Sequence, residues 1–311
     1  MSDHPLLVIL GATAAGKTKL AVSIAQQLNG ELISADSRQI FRGMDIGTGK
    51  DLSEYNLDGQ NIPYHLINVK EAGEKYNVHE FKSDFYAAFM QINNLGKLPI
   101  LCGGTGMYIH SILQNHKLTA VPIDQELRNR LQILSKPQLI ERLDTYPEEL
   151  RSTADYSSAK RLIRAIEIAE YLKINPLPAQ SLPNLNPVVI GLQSEVHIRR
   201  KRILERLDHR LKNGLIEEVE QLIAKGLSKE ILIFYGLEYK FVVAYLNSEL
   251  NFETFKERLG TAICQFAKRQ QTFFRKMEKD GVNIHWLDAD DDFVSLKEKA
   301  IQIAKYEFES K

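Results

Sequence analysis

Short apolar runs alternate with helical patterns over the first third of the chain. Four runs have the length and the branched side chains of buried strands. They lie at residues 5–10, 31–34, 64–69 and 98–102. Between them, the segments 19–28 and 78–95 carry apolar residues at helical spacing. Strands that alternate with helices in this way predict an α/β fold with a mainly parallel sheet.

The pattern becomes entirely helical after about residue 115. Helical segments are predicted at 124–134, 136–144 and 157–172. Proline-rich stretches, which indicate a hinge, follow at 175–178 and 181–187. An apolar run at 188–192 then predicts another strand of the sheet. A helical stretch between two core strands indicates an inserted domain. We therefore expect a core at 1–116 and 188–311, with an all-helical insertion domain at 117–187.

The C-terminal part of the chain is also mostly helical. Helices are predicted at 197–225, 237–246 and 252–277, followed by a strand at 282–287 and a terminal amphipathic helix. In the first of these helices, arginines recur at three- and four-residue spacing, at Arg199, Arg202, Arg206 and Arg210. Such a stripe is most simply a solvated basic face that pairs with carboxylates such as Glu205 and Asp208. The third helix interleaves basic and aromatic residues at 267–276.

Composition narrows the class of protein without identifying a partner. The 311 residues are 44% hydrophobic and 26% charged, which is ordinary for a soluble globular protein. Lys+Arg and Asp+Glu both total 40, so a polyanionic partner must be bound by local patches. The N-terminal sequence lacks a basic signal region, and no stretch approaches a membrane span. Cys102 and Cys264 stand apart among apolar residues, so we expect reduced thiols in a cytoplasmic protein.

The first predicted strand leads into a phosphate-binding P-loop, G-x-x-x-x-G-K-[ST], and a helix follows it. The motif consists of Gly11, Ala12, Thr13, Ala14, Ala15, Gly16, Lys17 and Thr18. Its backbone N–H groups and the helix N-terminus bind phosphate oxygens, and Lys17 reaches the outer phosphate. The Thr18 hydroxyl is placed to bind Mg²⁺. The motif indicates a bound di- or triphosphate but leaves kinases, NTPases and diphosphate-releasing transferases open.

Two further stretches end strands near this loop. Asp36 follows the second strand, and ligands of parallel α/β sheets bind at the carboxyl ends of strands. Asp36 is therefore either an N-cap of the next segment or a catalytic carboxylate. The fourth strand ends at Gly103 and Gly104, a second glycine turn where backbone approaches ligand closely. An NTPase motor would instead have a carboxylate at such a strand end, which weakens that alternative.

Five stretches in this order closely resemble the bacterial-type tRNA dimethylallyltransferases, also called tRNA isopentenyltransferases. They are the P-loop, Asp-Ser-Arg-Gln-Ile-Phe-Arg-Gly-Met-Asp-Ile-Gly-Thr at 36–48, Tyr-His-Leu-Ile at 64–67, Gly-Gly-Thr-Gly-Met-Tyr at 103–108 and Ala-Lys-Arg-Gln at 267–270. The resemblance implies a P-loop nucleotide-kinase-like parallel sheet core with an inserted helical domain and a helical C-terminal part. It also implies transfer of a dimethylallyl group from dimethylallyl diphosphate to N6 of the adenosine 3′ to the anticodon, with release of diphosphate.

The resemblance also assigns roles to residues. Asp36 becomes the base that takes the proton from the weakly nucleophilic amine. Lys17, the P-loop, Mg²⁺ on Thr18 and an arginine of the long helix, placed at Arg202, bind the leaving diphosphate. Contacts to the anticodon stem-loop of tRNA are expected from Asp36, Ser37, Arg38, Gln39, Thr105, Arg128, Lys160, Arg161, Arg164, Lys268 and Arg269. We expect a monomer that does not bind membranes.

The chain departs from the family pattern in one loop and one strand. Gly-Thr-Gly-Lys-Asp stands at 47–51, where the family often has Gly-Thr-Ala-Lys-Pro. Tyr-His-Leu-Ile-Asn stands at 64–68, where His-His-Leu-Ile-Asp is common. These changes concern fine positioning in the loop. The alternative functions are a P-loop kinase of a nucleoside or small acid, and an RNA-binding protein with a vestigial P-loop, against which the intact Lys17 and Thr18 argue.

Overall fold

A computed structural model describes residues 4–177 and 181–310. It divides into two compact units, with one division between Gln114 and Asn115 and the other between Leu182 and Pro183. The larger unit contains the sheet, and the smaller one is helical.

The larger unit is built on six parallel strands. The strands of the chain are β1 (His4–Gly11), β2 (Gly30–Ser34), β3 (Asn56–Leu57), β4 (Gln60–Asn61), β5 (Tyr64–His65), β6 (Leu98–Gly103), β7 (Leu185–Gln193) and β8 (His285–Asp288). The sheet has the order β5-β2-β6-β1-β7-β8, and β3 pairs with β4 in a separate antiparallel hairpin. Residues Leu6 to Leu10 of the central strand β1 are fully buried. Burial on both faces is typical of parallel sheets covered by helices.

Helices cover both faces of the sheet. The helices of the chain are α1 (Lys17–Gln27), α2 (Val78–Asn94), α3 (Gly106–Leu113), α4 (Gln125–Leu131), α5 (Lys136–Asp144), α6 (Glu148–Arg151), α7 (Ala159–Ile174), α8 (Val196–Lys212), α9 (Leu215–Ala224), α10 (Lys229–Tyr235), α11 (Leu237–Leu246), α12 (Phe252–Lys279) and α13 (Phe293–Glu309). Leu7 and Ile9 of β1 pack in one core with α1 and α13. Helices α2, α3 and α12 contact the sheet as well. Among the described residues, no helix is both long and apolar enough to cross a bilayer.

The smaller unit, α4 to α7, has a core of its own. Leu139, Leu143, Leu162 and Ile166 are fully buried in it. Polar side chains cap the N-termini of two of these helices, Asp124 for α4 and Ser158 for α7.

Several predicted elements differ from those of the structure. The run at 64–69 is a strand only at Tyr64–His65, because Leu66 and Asn68 adopt positive φ angles of 61° and 57° and turn the chain. The helix predicted at 197–225 is two helices, since Gly214 has a φ of 99° and begins α9. The hinge predicted at 181–187 and the insertion predicted to end at 187 both extend too far, because residues 185–187 belong to β7 and lie in the sheet. Pro178, in the predicted hinge, lies outside the described residues.

Other elements were not predicted at all. The glycine turn after β6 continues directly into α3, and the short helices α6 and α10 have too few residues for a periodic pattern. Helix α3 begins at Gly106, so the backbone of the turn is positioned by a helix N-terminus.

Candidate active site

A polar cavity lies at the carboxyl ends of β1, β2 and β6, where the P-loop, Asp36 and the Gly103–Gly104 turn meet. Helices α8 and α12 contribute side chains from other parts of the chain. The lining residues are Thr13, Lys17, Thr18, Ser34, Asp36, Arg38, Gln39, Thr48, Gly49, Tyr55, Cys102, Gly103, Gly104, Arg206, Arg210, Phe266 and Gln270. The prediction that ligands bind at these strand ends therefore corresponds to a real cavity in the larger unit.

The P-loop has the geometry that its sequence requires. Gly16 precedes α1 with a φ of 76° and, being glycine, has no side chain to cap the helix, so the first N–H groups of α1 can bind an anion. The Lys17 Nζ donates to the Ala12 carbonyl at 2.8 Å, across the loop. Burial lowers the pKa of Lys17 from its usual value. A partly desolvated ammonium group that donates to a neutral carbonyl keeps its charge available for a phosphate oxygen.

Asp36 lies in a turn and does not cap a helix. Its Oδ1 accepts from the Arg38 N–H at 3.0 Å, and its carbonyl accepts from the Gln39 N–H at 3.2 Å. The Thr105 Oγ1 accepts from the Ser37 N–H at 3.0 Å, which ties this turn to the end of β6. The N-cap alternative is thus not what the structure shows, and the carboxylate is held at the cavity wall.

The structure brings two arginines of α8 to the cavity, and Arg202 is not one of them. Arg202 Nη1 pairs with Asp290 Oδ1 at 2.7 Å, outside the cavity lining. Arg206, one helical turn further on, pairs with Asp51 and donates to the Gly49 carbonyl at 3.2 Å. Arg206 and Arg210 both line the cavity. The arginine that the resemblance placed at Arg202 therefore lies outside the cavity lining, and the arginines of α8 that reach the cavity are Arg206 and Arg210.

Gln270 connects two loops of the site and was not singled out from the sequence. Its Oε1 accepts from the P-loop N–H of Thr13 at 2.8 Å, and its Nε2 donates to the Gly104 carbonyl at 2.9 Å. Gln270 is 8% exposed, and its hydrogen bond to the Gly104 carbonyl is buried. The stretch 267–270 is one of those that carry the family resemblance, but only the folded structure shows that Gln270 contacts the P-loop.

We expect Gln270→Glu to weaken the binding of inorganic pyrophosphate roughly tenfold, the effect of about 1.4 kcal/mol. A carboxylate at this position cannot donate to the Gly104 carbonyl, and its charge opposes an anion. Protonation at lower pH restores the donor, so the difference from wild type should narrow as pH falls. Titration calorimetry at several pH values measures it. Gln265→Glu, exposed on the same helix, is the control, and a loss that does not depend on pH would contradict the explanation.

Comparisons with known proteins identify the family of the chain. A family model described as "IPP transferase" matches residues 39–277, which is well over half of the chain. The chain belongs to the IPP transferase family. A second model, "Isopentenyl transferase", matches residues 4–67, which include the P-loop and Asp36.

Relatives of this IPP transferase family member span nearly its whole length. It is 51% identical over 284 residues to tRNA dimethylallyltransferase 2 of Porphyromonas gingivalis, covering 91% of this chain and 94% of the relative. It is 48% identical over 289 residues to tRNA dimethylallyltransferase 2 of Bacteroides fragilis, covering 93% and 94%. The crystal structure of the tRNA isopentenylpyrophosphate transferase of Bacillus halodurans is similar, with a TM-score of 0.71, 30% identity and 99% of each chain covered.

The departures from the IPP transferase pattern have structural partners. Lys50, 1% exposed, donates from Nζ to Asp45 Oδ1 and to Asn68 Oδ1, both at 2.6 Å. Asn68 thus serves as a neutral acceptor where an aspartate is common. Asp51, where the family often has proline, is the ion-pair partner of Arg206. The loop at 47–51 is therefore adapted to the arginines of α8.

The basic residues expected to bind tRNA differ in their ion pairs and in their exposure to solvent. In the smaller unit, Arg128 forms a bidentate pair with Glu167, which is 2% exposed, at 3.0 and 2.9 Å. Arg164 also pairs with Glu167 and donates to the Val121 carbonyl at 2.7 Å. These two arginines organise their own unit. Lys160 and Arg161 are exposed, and Arg161 pairs with Asp155.

Two basic residues on α12 are exposed as well. Lys268 and Arg269 face solvent, and the Arg269 guanidinium lies 6.0 Å from the Phe266 ring centroid. Phe266 lines the cavity, and the Arg38 guanidinium lies 5.2 Å from the same ring. An aromatic ring that lines a cavity beside guanidinium groups is typical of surfaces on which a base can stack.

Proposed function

We propose that the protein transfers a dimethylallyl group from dimethylallyl diphosphate to N6 of the adenosine 3′ to the anticodon of tRNAs, releasing diphosphate. Membership of the IPP transferase family and relatives named tRNA dimethylallyltransferase support this. The observation that carries it is that the P-loop and Asp36 line one cavity, opposite the arginines of α8. The cavity thus has a place for a diphosphate beside a carboxylate base.

Asp36 acts as the general base. The exocyclic amine of adenine is a weak nucleophile because its lone pair is delocalised into the ring. Removal of its proton by the carboxylate as the C–N bond forms lowers the barrier. The hydrogen bond from the Arg38 N–H and the Thr105–Ser37 contact hold the turn in place.

The diphosphate leaves into the P-loop. Negative charge develops on its bridging oxygen as the C–O bond breaks, and preorganised cations and N–H donors stabilise that charge. The first N–H groups of α1, Lys17 and Arg206 supply them.

Thr18 would hold a Mg²⁺ ion beside the diphosphate. The residue lines the cavity next to Lys17, and its hydroxyl oxygen is a donor that suits this hard ion. When bound, the ion neutralises charge on the diphosphate.

The adenosine enters the cavity from a single-stranded loop. An anticodon loop is already unpaired, so the cost of moving a base out of its stack is low. Arg38, Gln39 and Phe266 line the cavity beside Asp36 and would contact the base. The hydrogen bond from the Ser37 N–H to Thr105 Oγ1 holds the adjoining turn.

The exposed basic residues of the smaller unit contact tRNA phosphates. We expect the double variant Lys160→Ala, Arg161→Ala to weaken binding of an anticodon stem-loop and to lower the salt slope of log K by about 0.7 to 0.9 per lost contact. Pyrophosphate binding should not change. Filter binding at several salt concentrations measures the slope. Lys201→Ala, an exposed lysine of α8, is the control, and a wild-type slope in the double variant would remove these residues from the interface.

Mass spectrometry of tRNA nucleosides tests the proposed function in the cell. A strain that lacks the gene should lose N6-prenylated adenosine and regain it from a plasmid copy. Unchanged tRNA in the deletion strain would contradict the proposal.

A further inference from the structure

We propose that Arg210 is a second guanidinium that binds the diphosphate, alongside Arg206. This inference rests on the proposed function and concerns the same cavity. Arg210 is on the same face of α8 as Arg206, and both line the cavity together with Lys17 and Thr18.

Arg210 is a buried cation whose charge is only weakly balanced by nearby carboxylates. The residue is 9% exposed, and its closest carboxylate contact is Nη1 to Glu238 Oε1 at 3.4 Å. In the part of the chain that the structure describes, its Nε has no hydrogen-bond partner. Burial and the neighbouring Arg206 lower the pKa of Arg210 to about 10. A buried charge without close partners is costly, and a bound anion removes that cost.

The nearby carboxylates are already engaged with other cations. Glu238, 1% exposed, forms its close ion pair with Arg38. Asp51 is paired with Arg206. Of the arginines that line the cavity, Arg210 is therefore the one whose carboxylate contact is long.

The loop opposite Arg210 is shaped to admit the guanidinium. Gly49 has a φ of 63°, and a Cβ at this position would overlap Arg210 Nη2 and crowd Arg206 Nη2. The glycine therefore leaves the space that the Arg210 guanidinium occupies. The contact is made by the charged end of Arg210, and it requires a residue without a Cβ at position 49. The fit keeps the guanidinium at the cavity wall.

Titration calorimetry with inorganic pyrophosphate and Mg²⁺ tests the proposal. We expect Arg210→Gln to raise the dissociation constant roughly 10- to 100-fold, the loss of a charge-assisted hydrogen bond. Arg210→Lys keeps the charge and should recover part of the affinity. Arg200→Gln, exposed on the same helix, is the matched control and should bind as wild type does. Melting temperatures of all variants, measured without ligand, separate binding from folding.

The proposal is overturned if Arg210→Gln binds pyrophosphate within about threefold of wild type. It is also overturned if the Gln and Lys variants lose affinity equally and both melt early, because the side chain is then only structural. Failure of the proposed function gives a different result: wild-type protein would transfer no prenyl group to RNA, whatever Arg210 does to pyrophosphate binding.

Discussion

Asp36→Asn should lower the single-turnover rate of prenyl transfer to an anticodon stem-loop by about 10²- to 10⁴-fold, the usual contribution of a general base. The amide cannot take the proton from the adenine amine. Its oxygen can still accept from the Arg38 N–H, so the turn at 36–39 should stay intact. Rapid-quench assays with saturating dimethylallyl diphosphate measure the rate.

Pyrophosphate binding by the Asp36→Asn variant is the control. It should equal that of wild type or be slightly tighter, because a negative charge is removed from the cavity. A transfer rate within about threefold of wild type would remove Asp36 from the catalytic role.

Arg206→Ala should cost roughly 3 kcal/mol of transition-state stabilisation, about 10²-fold in kcat/KM for prenyl transfer. The reason is that Arg206 lines the cavity, and its positive charge stabilises the negative charge that develops on the leaving diphosphate.

Arg202→Ala is the matched control for Arg206→Ala. Arg202 lies one turn away on the same helix and pairs with Asp290, so its loss should change the rate by less than about threefold. The reverse result, with Arg202 essential and Arg206 dispensable, would contradict the structure and support the placement made from the sequence.

The sequence predicted the elements whose signals are local. The P-loop has a fixed spacing between a strand and a helix, and Asp36 directly follows a strand, so their place at one edge of the sheet followed from the α/β pattern. The strand predicted at 64–69 is wrong beyond His65, because the two apolar residues that follow it are buried in a turn and not in a strand. Leu66 has a positive φ, which a pattern of residue types does not indicate for leucine.

The contacts that complete the site depend on distant parts of the chain. Arg202, Arg206 and Arg210 share one helical stripe, and only the position of α8 against residues 47–51 decides which of them reach the cavity. Gln270 contacts Thr13 across 257 residues. Arg128 and Arg164, both predicted to contact tRNA, pair with the buried Glu167, which lies 39 residues from Arg128 in the sequence. No spacing rule indicates such pairs.

The break between α8 and α9 is another feature that the sequence pattern alone did not predict. A glycine within a helical pattern costs only about 1 kcal/mol, so Gly214 was compatible with one long helix. The break lets Glu218 of α9 accept from the N–H groups of Asp45 and Ile46, both at 2.7 Å. That contact anchors the loop whose end, at Gly49 and Asp51, meets the arginines.

A two-label assay with purified protein, Mg²⁺ and an unmodified anticodon stem-loop tests the central claim most directly. One arm supplies dimethylallyl diphosphate labelled in the prenyl group, and the other supplies ATP labelled in its γ-phosphate together with nucleosides and small acids. The account predicts prenyl label on the adenosine 3′ to the anticodon, one diphosphate released for each group transferred, and no phosphorylated product. Phosphate transfer to a small molecule, with no prenyl label in the RNA, would contradict it.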